Sequence, residues 1–175
     1  MSIKHRRLSM AIIKMATDDQ RMRRVFKRTG VWNKKIDREH TKKIKKIIAQ
    51  YGWPTIPLVG KKASRAAWLL TQHADHDVAF QRKCLGVMKN LYHRNHNSVA
   101  KEHLAYLTDR VLVNEEKKQL FGTQFYLDRH SKFRPRPIRD PEHLNERRKE
   151  YRLGSFKKYL KSAKSYKPVY HAPKR

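Results

Sequence analysis

The sequence predicts a mainly α-helical protein: a compact bundle of four or five helices with a small β-hairpin or extended segment near residues 119–127. Three observations lead to that class. Apolar residues recur every three or four positions in four long segments, which is the spacing of one helix face. Between these segments lie short stretches broken by Gly and Pro, where helical hydrogen bonding is interrupted. One stretch, QLFGTQFYL, alternates loosely instead and contains a glycine, as a short hairpin does.

The first helix is expected over about residues 8–28, with Leu8, Ile12, Met15, Met22 and Phe26 on one stripe and Asp19 interrupting it. The second, over about 34–50, places Ile36, Ile44, Ile47 and Tyr51 on one face, and His40 falls into that face too. YGWPTIPLVGKKAS has no helical period and reads as a loop pinned to the core by Trp53, Ile56 and Leu58, with Ser64 placed to cap the next helix. The longest helix is expected over about 64–92. Its stripe is Ala66, Leu70, His73, Asp77, Phe80, Cys84, Val87 and Leu91. A helix over about 99–114 turns Leu104, Leu107 and Val111 inward, with Asp109 and Arg110 near its end. FRPRPIRDP is Pro-punctuated and cannot be helical. A charged helix from Asp140 or Pro141 to about 151 and a last helix or turn around SFKKYLKSA complete a single domain of residues 1–160. A basic, mobile tail is expected over 161–175.

The formal net charge is +28, with 43 Lys and Arg against 15 Asp and Glu. Such a balance points to a polyanionic partner or to a generally basic proteome. The excess lies in residues 1–62 and 129–175, and residues 63–128 are nearly balanced. The single cysteine, Cys84, excludes an internal disulfide and a thiolate-rich zinc site, and its surroundings make it a small core hydrophobe. No apolar run approaches the roughly 18 residues of a membrane span. The N-terminal stretch lacks the apolar region and cleavage site of a secretory signal, so a cytoplasmic location is expected.

The stretch TQHADHD at 71–77 sits inside the longest stripe. Helical phase turns His73 and Asp77 inward one turn apart, flanks them with Gln72 and His76, and sends Thr71 and Asp75 toward water. A carboxylate cannot enter a core unpaired without a cost of several kcal/mol, so Asp77 requires a buried partner, and His73 is the nearest. Asp19 and His40 interrupt their own stripes in the same way. A polar pocket formed by residues from several helices is therefore expected. Two chemistries fit these residue types. His73 oriented by Asp77 could move protons near neutral pH, with Arg110 clamping an anionic group. Alternatively, His73, His76 and Asp77 could ligate a divalent metal, although H-x-x-H is a weak signal among ten histidines. The plainer readings are satisfied structural hydrogen bonds for the His and Asp residues and an Asp109–Arg110 ion pair. For GTQ at 122–124, a hairpin turn competes with a ligand contact through Gly122 and Gln124.

Four segments together resemble an uncharacterised bacterial family of domains of unknown function: GWPTIPLVG, AAWLLTQHADHDVAFQ, AYLTDRVLVNEEKKQLFGTQF and PIRDPEHLNERRKEYRLGSFKKYL. The family pattern is G-W-P, W-x-x-x-Q-H-A-D-x-D, D-R and Y-G-T-Q, and here Phe121 stands where Tyr is usual. The resemblance implies that Gln72, His73, Asp109, Arg110 and Gln124 belong to one shared pattern, and it implies no particular reaction. The expected function is a ligand-binding or catalytic pocket for a small polar or anionic molecule, with hydrolase- or transferase-like chemistry. In it Asp109 joins His73, Asp77 and Arg110, while Gln72, Gly122, Gln124, Asp19 and His40 contact the ligand. The alternative is a nucleic-acid-binding protein using the basic N- and C-terminal regions, with Trp32, Tyr151, Tyr159, Tyr166 and Tyr170 for stacking.

Overall fold

A computed structural model describes residues 5–166, and the chain divides into two compact units, Met1–His103 and Leu104–Arg175. The described residues form eight helices and one two-stranded antiparallel sheet, in the order α1 (Arg6–Thr29), α2 (Lys34–Tyr51), α3 (Ile56–Val59), α4 (Lys61–Gln72), α5 (Val78–Arg94), α6 (Lys101–Asn114), β1 (Phe125–Leu127), β2 (Phe133–Pro135), α7 (Leu144–Glu150) and α8 (Phe156–Tyr166). The mainly α class with a small hairpin is therefore correct. None of these helices is long and apolar enough to cross a membrane.

In the first unit α4 packs against α1, α2, α3 and α5. Its sequence explains this central position. Ala63, Ala66 and Ala67 are small and buried, so neighbouring backbones approach closely, while Trp68 and Leu70 fill the space between. Ile12, Met15, Ala16 and Met22 of α1 and Ile44 of α2 supply the facing core. α1 ends at Gly30, whose φ of 70° suits the left-handed cap, and its amide donates to the Phe26 carbonyl. α2 starts at Asn33, whose side chain accepts from the amides of Lys35 and Ile36. In the segment read as a loop, Ile56–Val59 makes one helical turn, and Trp53 and Val59 are its buried anchors. Ser64 is not a cap: α4 begins at Lys61 behind Gly60, and Ser64 is buried inside the helix.

The long helix expected over 64–92 is two helices. α4 stops at Gln72, residues 73–77 cross over, and Asp77 opens α5 by accepting from the amide of Phe80 at 3.0 Å. No Gly or Pro marks the break. It is held by a side chain from the far side: Gln81, 0% exposed, donates Nε2 to the carbonyl of Thr71, which also accepts from the Ala74 amide, to that of Gln72, and to Oδ1 of Asp75. After the break the helical phase restarts. The inward face of α5 is Phe80, Gln81, Cys84, Leu85 and Met88 rather than the stripe through Val87 and Leu91. Thr71, expected to face water, is fully buried. Cys84 is a core residue, and burial pushes its thiol up to about 12, which keeps it protonated and unreactive.

In the second unit β1 and β2 pair Phe125 with Pro135, Tyr126 with Arg134 and Leu127 with Phe133. The rings of Phe125 and Phe133 stack at 4.6 Å on one face. α7 packs against α8, and the buried residues include Leu107, Val111, Phe121, Phe125 and Leu144. α8 continues to Tyr166, past residue 161 where the basic tail is expected, and residues 167–175 lie outside the described residues.

His103 of the first unit stacks on Trp68, with ring centroids 4.1 Å apart and planes 4° from parallel. Burial lowers its pKa to about 4, against the pull of Glu102. A histidine held neutral by the fold favours folding fully above its ordinary value near 6.5, and that contribution is lost as pH falls from there toward 4. Denaturant unfolding at pH 7 and pH 4.5 should therefore show a smaller stability loss for His103→Phe than for the parent chain. Equal losses would refute this role.

Candidate functional site

The residues singled out by sequence fall into two clusters, one in each unit. In the first unit, Asp19 projects from α1 and is 2% exposed at its side chain. It does not stand alone. Nδ1 of His73, at the end of α4, lies 2.8 Å from Oδ2 of Asp19, Nε of Arg23 lies 3.2 Å from Oδ1, and Nε2 of Gln20 donates to Oδ2 at 2.8 Å. Burial alone would raise the Asp19 pKa. The hydrogen bond and charge of His73, then Arg23 and Gln20, outweigh it and hold the carboxyl at about 2. Arg23 also reaches Oδ1 of Asp37 on α2 at 3.3 Å, so one guanidinium joins two carboxylates from two helices.

The expected His73–Asp77 pair is not the one formed. Asp77 caps α5 and accepts from Nζ of Lys45 on α2, and that hydrogen bond is the first cause of its lowered pKa. The reason is the helix break: residues 73 and 77 no longer share one helix face, so His73 turns to the carboxylate of another helix. Asp75 is half-buried and engaged by Gln81, and His76 is exposed. Gln72 is buried, with its main-chain carbonyl held by Gln81. His40 is 9% exposed, and among the described residues its Nδ1 has no hydrogen-bond partner. Burial lowers its pKa although the charge of Asp19 pulls the other way, so His40 stands near the Asp19–His73 pair in its neutral form. No group of three or more His, Cys, Asp or Glu side chains among the described residues is placed to hold a metal ion, and His73, His76 and Asp77 make no such set.

The second cluster joins the D-R and G-T-Q motifs in the second unit. Asp109, 0% exposed on α6, accepts from the amides of Leu120, Phe121 and Thr123 at 2.7–3.2 Å and from the Thr123 hydroxyl at 2.9 Å. Burial raises its pKa, and these donors offset part of that rise. Its carboxylate thus gathers a loop, in place of the Asp109–Arg110 ion pair. Arg110 instead donates Nη1 to Oε1 of Gln124 at 2.9 Å. Gly122 has φ 67°, and a Cβ there would lie 2.8 Å from the Phe156 ring, so glycine is required both by conformation and by space.

Sequence reasoning missed Gln119, Gln81 and Arg148. Gln119, fully buried, donates Nε2 to the carbonyls of Gln124 and Arg136 and accepts from the Gln124 amide. Arg148, 1% exposed, donates to the carbonyls of Phe121 and Gly154 and lies 4.8 Å from the Tyr159 ring centroid. Polar side chains that bond main-chain carbonyls leave no periodic trace, and Gln81 lies beside the predicted stripe, turning inward only because the helical phase restarts after the break.

Together these features define a mainly helical protein with a buried Asp–His pair in one unit and a carboxylate-gathered hairpin in the other. The chain belongs to DUF6624, a family of unknown function, whose sequence model matches residues 8–167. No curated protein and no solved structure matches it.

Replacing Asp109 with Ala strands the buried amides of Phe121 and Thr123, the half-buried amide of Leu120 and the Thr123 hydroxyl. Each unmade hydrogen bond of this kind costs on the order of 1–3 kcal/mol, so Asp109→Ala should lose about 3 kcal/mol or more in denaturant unfolding. A loss below about 1 kcal/mol would show that the loop does not depend on this carboxylate.

Proposed function

We propose that the first unit carries an acid–base centre at His73, acting on a small polar or anionic molecule in hydrolase- or transferase-like chemistry. The observation that carries this reading is the 2.8 Å contact of His73 Nδ1 with a carboxylate that is 2% exposed. A neutral His73 donating Nδ1–H to Asp19 has its lone pair on Nε2, the tautomer a general base requires. Asp19, with its carboxyl at about 2, stays ionised at neutral pH, so it stabilises an imidazolium without taking the proton itself. Arg23 and Gln20 fix the carboxylate from the other side. His73 keeps 16% of its side-chain surface exposed, so the ring is not sealed in the core. In this arrangement Asp19 takes the orienting role the sequence suggested for Asp77.

The test is a thermal-shift and turnover screen of the full chain against small carboxylates, amides and phosphate esters. A compound that stabilises the parent or is consumed by it should do neither with folded His73→Gln, and Asp19→Asn should lose turnover by about 100-fold while keeping most of the binding. Unchanged binding and turnover in His73→Gln would end this reading.

One observation supports a second reading, binding of a nucleic-acid strand. A shallow surface concavity on α2 is lined by Lys34, Lys35, Arg38, Glu39 and Lys42, a run of four cations around one carboxylate. Trp32 stands just before it, tied to Phe26 and Arg23. The side chain of Tyr166 and the whole of Tyr170 lie outside the described residues. Affinity for a single-stranded oligonucleotide should fall steeply with salt, and Lys35→Gln/Arg38→Gln should reduce that salt slope by about one to two. A slope unaltered in the double variant argues against this face.

A further inference from the structure

The two faces of the hairpin differ in what they meet. Phe125 stacks on Phe133, and its ring centroid lies 5.7 Å from that of Tyr159 on α8, so the face these residues share is the covered one. The ladder runs one step past the sheet at each end. At the base the Arg136 amide donates to the Gln124 carbonyl at 2.9 Å, and at the tip the Asp128 amide donates to the Lys132 carbonyl at 2.9 Å. Tyr126 pairs with Arg134, and alternate residues repeat a face, so Tyr126, Lys132, Arg134 and Arg136 share the opposite side.

Over residues 124–139 five Lys and Arg stand against one carboxylate, Asp128. Asp128 is spent within the hairpin, where it accepts from the amides of His130 and Lys132 and from Nε of Arg134 at 3.2 Å. Arg134 still exposes 54% of its side chain, and Lys132 is exposed. The Arg136 guanidinium lies 5.1 Å from the Tyr126 ring centroid, and both residues are half-buried. Three cations thus follow one another at every second residue of the β2 segment, about 6.7 Å apart along it. The free edge of β2 is closed to a further strand, because the outward amides needed at Pro135 and Pro137 do not exist. What the hairpin offers a partner is therefore its cationic face.

We propose that this face binds a single-stranded nucleic acid, its phosphates running along Lys132, Arg134 and Arg136 and one unpaired base resting on Tyr126. A row of cations at regular spacing complements a chain that repeats one negative charge per nucleotide, whereas a small anion meets only part of it. The aromatic ring beside the row selects a strand over a duplex, since bases locked in pairs present no face to it. Arg136, held over that ring, joins the phosphate row to the stacking platform. Little ordering is left to be done on binding, because Gln119 fixes the ladder at its base and Asp128 fixes the turn at its tip. The surface lies wholly in the second unit and depends neither on the His73 centre nor on the α2 concavity.

The test is fluorescence anisotropy of the full chain with a labelled oligothymidine of about twelve nucleotides and with a duplex of equal length. The parent should bind the single strand at least about fivefold more tightly than the duplex. Lys132→Gln/Arg134→Gln should lower the slope of log affinity against log salt by about one to one and a half. Lys132→Gln alone, which leaves the Asp128–Arg134 bond in place, should lower it by about 0.7. Tyr126→Ala should weaken binding about tenfold with the slope unchanged, and Tyr126→Phe, which keeps the ring and guards against a folding defect, should stay within about twofold. Lys157→Gln/Lys158→Gln, on α8 of the same unit, should leave the affinity within about twofold. The hairpin variants should lose as much in a Lys35→Gln/Arg38→Gln background as in the parent, which separates this surface from the α2 face. Absence of binding by the parent, preference for the duplex, a slope unaltered in Lys132→Gln/Arg134→Gln, or an equal loss in Lys157→Gln/Lys158→Gln would overturn the proposal.

Discussion

A carboxylate withdrawn from water has to be met by donors, and this constraint organises both units of the chain. Asp19 and Asp109 are almost fully buried, and neither is neutralised by a single partner. Asp109 is surrounded by main-chain amides of the loop that follows its own helix, so the path of residues 120–124 is dictated by where that side chain sits. Asp19 draws in His73 from α4 and Arg23 from its own helix. The first case fixes a backbone and the second orients an imidazole. The same chemical requirement thus has a structural outcome in one unit and a functional proposal in the other.

The cations divide in a similar way. Most of the excess positive charge is carried by exposed Lys and Arg, where each is well hydrated and individually contributes little to stability. A minority is drawn inward. Arg148 has its donors satisfied by carbonyls and its charge set against Tyr159, so it is structural. Arg23 is satisfied by two carboxylates. Arg136 differs from both, because its burial is answered by a ring rather than by an acceptor. The net charge of the chain says nothing about that difference, which rests on where each guanidinium lies.

The helices were legible because their stripes are long: α1, α2 and α6 fall within about two residues of the periodic segments. The break at 73–77 was not. Its apolar phase runs on across the interruption, no Gly or Pro announces it, and the side chain that holds it, Gln81, lies beyond it. That one omission displaced the reading of the motif. His73 and Asp77 were read as an inward pair, but His73 meets Asp19 of α1, while Asp77 is only half-buried and meets the exposed Lys45 of α2. Asp19 itself was visible as an interruption of its stripe. Asp109 and G-T-Q were visible as separate motifs, while their mutual hydrogen bonds depend on a turn that periodicity does not encode. Gln119 and Arg136 carried no signal at all, since their roles arise from pairing between segments more than fifteen residues apart.

The clasp made by Gln119 has a consequence for how this hairpin can vary. One side-chain nitrogen bonds the carbonyls of both Gln124 and Arg136, at the open end of the ladder, and the Gln119 main chain adds bonds to Pro137 and Arg139. The register is therefore fastened at the base as well as at the tip, where Asp128 accepts from the amides of His130 and Lys132 and pairs with Arg134. Hairpins fastened at the turn lose their alignment when the turn changes length, because a slip of one residue inverts every side chain. Here two fastenings hold the ladder, the Gln119 clasp at its open end and the Asp128 turn at its tip, so a slip in register has to break both.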